Sequence, residues 1–440
     1  MKQLRPPRAV LEIADKLEEA GFEAWCVGGA IRDALLGHPH LDWDLATSAT
    51  PGDVRQLFGH RRTIPVGVEF GTVGVLDHDG RMHEVTTFRR DVKTDGRHAE
   101  VEFGVSLDDD LARRDFTINA IAYSPRRNEV RDPFGGRADL DRKIVRAVGD
   151  PEARMREDRL RALRAIRFAA RFDFDLDPET RRAIETSAPF LDRLSRERVK
   201  QELDKTMEQV RCPSNALSTW KSTGAFRALI PPLDAVSSMS FRVVDYLAMP
   251  GLSRTPARRE LRRAIRYAGL LLELSPSEAV KVLTGLRSSR REINLVSVLI
   301  ERWRAFGEAL TMTLGLSAAP ADAQVRRWVA ALGRIHFGTF MRLAEGVWAS
   351  ARAAGDEQAP TVHAVRSVYR RMLKSAVRDP IDLGSLAIDG DDLRRLGIAA
   401  GPGIGKILQA MLDAVIEDSS RNTTDWLLQE AKRLAAGDGH

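Results

Sequence analysis

The stretch VGGAIRDALLGHPHLDWDLAT, residues 27–47, decides how the rest of the chain is read. A glycine pair, Gly28-Gly29, follows the apolar run AWCV and precedes a helix-like segment, Ala30–Leu36. Backbone N–H groups at such a junction form an anion cradle, reinforced by the positive end of the helix dipole. Glycine lets the backbone approach a phosphate closely, and Arg32, one turn into the helix, can reach the same anion. At the far end Asp42 and Asp44 flank Trp43. In a β-strand residues i and i+2 share a face, with α-carbons roughly 6.6 Å apart. Two carboxylates then aim at one spot while Trp43 packs the other way, and such a hard-oxygen pair suits Mg²⁺. Taken alone, an Asp-x-Asp reads first as two solvated surface acids. Joined to a glycine cradle and an arginine, it points to a nucleoside triphosphate held with a metal ion.

Further along, RMHEVTTFR offers Glu84 in a strand, with His83 and Val85 on the other face. Two-metal phosphoryl transfer needs carboxylates converging from neighbouring strands; a hairpin surface residue is the other reading. RRDFTINA places Arg113, Arg114 and Asp115 just before a helix, where Asp115 by itself reads as a cap. In EDRLRALRAIRF a single helix is expected, with Leu160, Leu163, Ile166 and Ala170 as its buried stripe. Asp158, Arg161, Arg164 and Arg167 recur every third residue across the neighbouring faces, and a solvated basic face is the plain reading.

At 440 residues the chain is too long for one ordinary domain. With 43% hydrophobic and 30% charged residues it is a core-forming chain rather than a disordered one. A net charge of +6, carried largely by clustered arginines, suits a polyanionic partner. Two cysteines, Cys26 and Cys212, leave no room for a disulfide framework and imply a reducing compartment. The first residues lack the apolar core of a signal sequence; Val10, Leu11, Ile13, Ala14 and Leu17 are spaced as one face of a helix. No run reaches the ~20 apolar residues of a membrane span, so a cytoplasmic protein with no membrane partner is expected.

Up to about residue 150 short β-like segments (Ala24–Val27, Trp43–Ala46, Gly71–Leu76, Arg81–Phe88, Ile118–Tyr123) alternate with helical patterns, and His78-Asp79-Gly80 reads as a hairpin turn. From Pro151 onward the patterns are almost all helical. The fold expected is an α+β head followed by a long all-α neck, body and tail, divided as 1–150, 151–212, 213–345 and 346–440. Ser350–Asp356, rich in small and polar residues, reads as a linker or loop.

Six pieces in order, VGGAIRDALLG, LDWDLAT, EVTTFR, RRDFTINAIA, DPFGGRADLDRKIVRAVGDP and EDRLRALRAIRFAAR, resemble the motifs of bacterial CCA-adding enzymes. These are tRNA nucleotidyltransferases of class II, shared with bacterial poly(A) polymerases, in the polymerase β-like superfamily. The likeness is dense over Ala24–Arg171 and returns at LAIDGDDLRRLGIAAGPGIGKIL. It implies that Gly28, Gly29 and Arg32 hold the triphosphate, that Asp42 and Asp44 bind two Mg²⁺ ions, and that Glu84 is the further catalytic acid. Arg113, Arg114 and Asp115 fall near the sugar and phosphates. Asp158 and Arg161 match the pair that reads the incoming base, with Arg164 and Arg167 as further nucleotide contacts. A carboxylate accepts from the exocyclic amino group that cytosine and adenine share, whereas uracil and guanine present a carbonyl.

The activity so implied is template-independent addition of CCA to the tRNA 3′ end from CTP and ATP. A-adding, CC-adding and poly(A)-adding relatives are the alternatives within the family. Thr94-Asp95-Gly96-Arg97 resembles the loop of members that add the terminal A; Lys93 departs from the aromatic expected there. A catalytically silent RNA-binding protein and a small-molecule nucleotidyltransferase are the readings from outside it. No histidine lies between His98 and His336, which excludes a His-ligated metal site over residues 200–330. Arg254–Arg266 and Arg287–Arg291 are candidates for the tRNA backbone, or solvated helix faces. Lys406, after a glycine-bounded turn, either meets a phosphate or sits on a plain helix–helix turn. The family implies recognition of the tRNA acceptor end and T-arm, and no protein partner is evident.

Overall fold

A computed structural model describes residues 4–38, 43–94, 99–247, 255–316 and 318–437. Asp42, the Asp95-Gly96-Arg97 turn and Arg254 lie outside the described residues. The chain divides into two units, the first running to Val236 with Gly285–Arg287, the second comprising Ser237–Thr284 and Ser288 onward.

In the first unit, α1 (Arg8–Glu19) buries Val10, Ile13, Ala14 and Leu17, the stripe its spacing predicts. Then come β1 (Ala24–Val27), α2 (Gly29–Leu36), β2 (Asp44–Thr47), α3 (Pro51–Phe58), β3 (Thr63–Gly67), β4 (Thr72–Leu76) and β5 (Met82–Thr87). β6 (Arg89–Thr94) pairs with β7 (Ala99–Phe103) in a separate two-stranded sheet, and α4 (Leu107–Ala112), β8 (Ala122–Ser124) and β9 (Glu129–Arg131) follow. Seven strands form one sheet in the order β3-β4-β5-β2-β1-β8-β9. β2 runs antiparallel to β1, with Val27 opposite Asp44, and parallel to β5, with Leu45 beside Val85.

Alternation sorts the strands' side chains onto two faces. One face buries Cys26, Leu45, Val73, Val75 and Val85, and α1 and α3 pack against these strands. On the other, Trp25, Val27, Ala46 and Ala122 join Leu107 and Leu111 of α4 in a core cluster. Asp44 is exposed where its neighbour Trp43 is buried, as the alternation predicts. The expected turn is present: Gly80 has φ +75°, and the Asp77 carboxylate accepts from the backbone N–H groups of Asp79 and Arg81 at 2.9 Å each.

The unit continues with α5 (Gly136–Arg142), β10 (Ile144–Val145), α6 (Pro151–Glu157), α7 (Leu160–Phe172), β11 (Asp175–Leu176), α8 (Pro178–Ser187), α9 (Arg196–Gln209), α10 (Pro213–Ser222), α11 (Ala225–Leu229) and α12 (Pro231–Ala235). Four of these helices open on proline, whose missing N–H has no helical partner at that position anyway. The regular elements among the second unit's described residues are helices: α13 (Ser238–Tyr246), α14 (Pro256–Leu270), α15 (Pro276–Gly285), α16 (Arg290–Gly315), α17 (Asp322–Leu332), α18 (Phe337–Ala353), α19 (Val362–Arg378), α20 (Gly390–Arg395), α21 (Pro402–Glu417) and α22 (Thr424–Gly437). Ile388, Leu393, Ile407, Met411, Val415 and Leu427 form a core for its last three helices. No helix among the described residues is long and apolar enough to cross a membrane.

Four expectations need correction. Of Ile118–Tyr123 only Ala122 and Tyr123 are strand, opening β8: Thr117–Asn119 is a 3₁₀ turn, held where Thr117 Oγ1 donates to Asp139 at 2.7 Å and Asn119 Nδ2 to Asp115 at 2.9 Å. EDRLRALRAIRF is not one helix, because α6 ends at Glu157 and Asp158 is extended, its Oδ1 accepting from Leu160 N–H at 3.0 Å. A short polar side chain that bonds nearby backbone competes with the helical ladder. Ser350–Asp356 is a loop only from Ala354 onward, because α18 runs to Ala353 with Ser350 buried. Within Arg254–Arg266, Arg266 is fully buried and Arg263 pairs with the buried Glu292 at 2.9 Å, so neither lies on a solvated face. The sheet also holds two strands the sequence does not announce, β3 and β9; β3 contains Pro65, which a sheet tolerates at its edge.

Candidate active site

A cleft of about 450 Å³ opens at the N-terminus of α2. Gly28, Gly29 and Arg32 line it from α2, Asp44 from β2, and Arg113, Arg114, Asp115 and Asn119 from the segment after α4. Arg164, Arg167, Phe168 and Arg171 come from α7, and Lys205 and Gln209 from α9. Gly28 has φ +73°, ψ −135°, a conformation reserved for glycine, and a Cβ there would lie 2.9 Å from Arg114 Nη1. The register that puts Val27 opposite Asp44 brings the carboxylate beside this glycine seat.

The arginines are held by buried acids. Asp110, 1% exposed, accepts from Arg113 Nη2 at 2.7 Å and from Arg114 Nη2 at 3.2 Å. Burial alone would raise the Asp110 pKa; the charges of Arg114 and Arg113 outweigh it and hold the carboxyl below its usual range. Asp115 accepts from Arg164 Nε at 2.8 Å, and its pKa is likewise lowered, burial being overcome by the Arg164 charge. Arg167 donates to the buried Glu202 at 2.7 Å, which also accepts from Lys205 at 3.0 Å. Arg32 is buried, paired with Asp33 at 2.7 Å and bonded to Asn119 Oδ1, and its guanidinium lies over the Phe168 and Phe172 rings at 5.1 and 4.6 Å. Burial pulls the Arg32 pKa down against the Asp33 charge. A continuous chain of bonds thus runs Asp33–Arg32–Asn119–Asp115–Arg164, from the glycine seat to α7.

The cleft therefore gathers Gly28, Gly29, Arg32, Asp44, Arg113, Arg114, Asp115, Arg164 and Arg167, nine of the residues singled out from sequence. Glu84 does not line it. It is exposed on β5, one residue before Val85 as Asp44 is one before Leu45, so the two acids stand on adjacent strands on one face. Asp158 and Arg161 do not line it either. Asp158 Oδ2 accepts from Arg198 at 2.8 Å, while Arg161 donates to Glu157 at 2.7 Å and to the Arg113 carbonyl at 3.1 Å. Arg113–Asp115 follow α4 rather than open a helix, and Asp115 caps none.

Arg167 is buried, not on the solvated face its every-third-residue spacing suggests. Among the described residues no group of three or more His, Cys, Asp or Glu forms a metal site; Asp42 is outside them. Sequence reasoning missed Asp110, Asn119, Phe168, Arg171, Glu202, Lys205 and Gln209. Asp110 was discoverable, since it precedes two arginines at helical contact spacing. Nothing in RERVKQELDKTMEQ distinguishes Lys205 or Gln209 from solvated residues.

Residues 24–146 match the model of the poly(A) polymerase head domain, and residues 173–236 that of the probable RNA- and SrmB-binding site of polymerase A. A CCA-adding enzyme of Limosilactobacillus reuteri is 33% identical over 434 residues, 98% of this chain and 96% of its own. One from Geobacillus stearothermophilus is 33% identical over 97% of this chain and 98% of its own. Among solved structures, the Bacillus stearothermophilus CCA-adding enzyme in complex with CTP is 30% identical, with a TM-score of 0.75 over 99% of this chain and all of that one. The Thermotoga maritima CCA-adding enzyme complexed with tRNA_CCA shares the fold at 20% identity, with a TM-score of 0.69 over 98% of this chain and 97% of that one. Likeness of this extent, carried from the glycine seat to the last helix, means that the chain belongs to the family of CCA-adding enzymes.

Proposed function

We propose that the chain adds CCA to the 3′ end of tRNA from CTP and ATP, without a nucleic-acid template, the protein itself selecting the base. The observation that carries this reading is the cleft, in which a glycine-opened helix N-terminus and seven basic side chains surround Asp44. It is supported by relatives named CCA-adding enzymes that match along nearly the whole chain and by the CTP bound to a 30% identical one.

The triphosphate rests on the backbone N–H groups that open α2, where the helix dipole favours negative charge. Arg113 and Arg114, pre-set by Asp110, and Arg164 and Arg167, pre-set by Asp115 and Glu202, give a positive wall that needs little reorganisation when phosphate arrives. Asp44 and Glu84, which share a sheet face on adjacent strands, are the hard-oxygen donors that would hold Mg²⁺, with Asp42 expected from the sequence to join them. Held by these residues, Mg²⁺ would supply the positive charge that eases deprotonation of the attacking hydroxyl and offsets the charge on the leaving pyrophosphate. No protein nucleophile is required, and the role of the acids is to place charge at the reacting phosphorus. In base selection Asp158 exchanges Arg198 for the exocyclic amino group of C or A, and Arg161 donates to the ring nitrogen.

The test is incubation with tRNA ending before CCA, after C, or after CC, with CTP and ATP supplied separately. Ordered addition of C, C and A, and no more, is the expected outcome. A product limited to A, a long A tail, or bound but unextended tRNA would replace this reading with A-adding, poly(A)-adding or silent RNA-binding activity.

A further inference from the structure

Half of one sheet face is open. Where β1, β2 and β8 carry Trp25, Val27, Ala46 and Ala122, helix α4 covers it; across β5 and β3 the side chains of Glu84, Met82 and Ile64 are exposed among the described residues. On that open half Asp44, Glu84, Gly74 and Ile64 are successive cross-strand neighbours, since Glu84 pairs with Gly74 and Gly74 with Ile64. Beyond the carboxylates the surface becomes apolar and stays exposed: Ile64 41%, Val66 46%, Phe70 37% and Met82 45%. Gly74 keeps the middle flat, for a Cβ there would fall 2.6 Å from Met82 Sδ and 3.1 Å from Val66 Cγ2. The Arg89 guanidinium, over the Phe70 ring at 5.8 Å, places positive charge at the edge of this apolar shelf.

Exposed apolar surface beside a catalytic centre needs an occupant whose chemistry matches both ends. A single-stranded RNA end does so. It presents a hydroxyl to the carboxylates, base faces to an uncharged surface, and phosphates to an arginine. The span agrees: Ile64 stands three strand spacings, roughly 14 Å, from Asp44, room for a few stacked nucleotides at about 3.4 Å each. The glycine seat for the triphosphate lies on the opposite side of Asp44, across β1. Resting on the proposed nucleotidyl transfer, we propose that the apolar shelf of Ile64, Val66, Phe70 and Met82 is the stacking surface for the 3′-terminal bases of the RNA acceptor. Stacking suits an acceptor whose last base changes at each cycle, because every base has an apolar face.

The experiment compares the wild-type protein with Met82→Glu, Ile64→Glu and the conservative Met82→Leu, using tRNA ending before CCA and after CC. The readouts are KM for tRNA, KM for CTP, Tm and sedimentation. A carboxylate on the shelf should raise KM for tRNA about tenfold, in line with the loss of one stacked base. KM for CTP and Tm should stay unchanged and Met82→Leu should behave as wild type. Wild-type tRNA kinetics in both folded glutamate variants would overturn the shelf while leaving nucleotidyl transfer intact. Absence of transfer by the wild-type protein would instead sink the activity on which the inference rests. If both glutamate variants fail to fold, Val66→Ser with Ile64→Ser replaces them under the same two criteria. A wild-type dimer that either glutamate variant dissociates would assign the shelf to a second copy of this chain and overturn the proposal.

Discussion

Asp115 stays ionised among buried groups because Arg164, Asn119 and the Phe116 N–H all favour its charged form. Its depressed pKa fixes the sign of a pH effect. The stability it contributes is complete above the ordinary carboxylate pKa, near 3.9, and is lost as pH falls through the lower folded value. Urea unfolding of wild type and Asp115→Asn from pH 7 to pH 2 should show a gap of roughly 2 kcal/mol, the size of a hydrogen bond to a charged group, that holds to about pH 4 and then closes. Asp44 is a different case, an exposed carboxylate in the cleft wall. Asp44→Ala should bind tRNA within a few fold while nucleotide transfer disappears; persistent transfer with Mg²⁺ would refute its metal role. Asp158→Ala should blur selection of CTP and ATP over UTP and GTP more than it weakens triphosphate binding. A selectivity ratio unchanged from wild type would remove Asp158 from base reading.

At the scale of elements, the cleft is a meeting of one helix start, one strand end, one 3₁₀ turn and two later helices, and Asn119 joins them. Its side chain accepts from Arg32 and donates to Asp115, linking α2 to α7. Asn119→Ala should raise KM for both CTP and ATP about tenfold, the size expected for hydrogen bonds to charged partners, while kcat changes less. A fall in Tm with both KM values intact would reduce Asn119 to a packing role.

The parts of this arrangement visible in the sequence are those that repeat a local rule. Trp43 against Asp44 follows the two-residue alternation, and Gly28 follows from the need for positive φ where a strand turns into a helix. Asp110 obeys helical contact spacing yet is masked by its neighbours Asp108 and Asp109, which have the same chemistry but lie at the surface. The break at Asp158 is hidden, because the apolar stripe of α7 and the polar turns of α6 run on without proline or glycine. Arg167 reads as solvated until a buried Glu202 thirty-five residues away is brought beneath it. Long-range pairs of that kind leave no periodic trace.

For the whole molecule, net charge +6 is a weak pointer until the arginines are sorted by burial. Arg263 and Arg266 of the second unit are spent on its interior, whereas Arg258 and Arg259 at the start of α14 are exposed. If these two meet phosphates, the double change to alanine weakens tRNA binding evenly across tRNA sequences and flattens the plot of log Kd against log salt by about two. An unchanged slope would show that the acceptor is bound elsewhere. The two cysteines differ as sharply as the arginines. Cys26 is sealed inside the sheet, where burial and then the Asp44 charge push its thiol pKa up, while Cys212 is exposed just past the end of α9. A thiol-directed fluorophore applied to the unaltered protein should thus attach once, at Cys212. That places a reporter three residues from Gln209 in the cleft wall, ready to register nucleotide arrival without any engineered mutation.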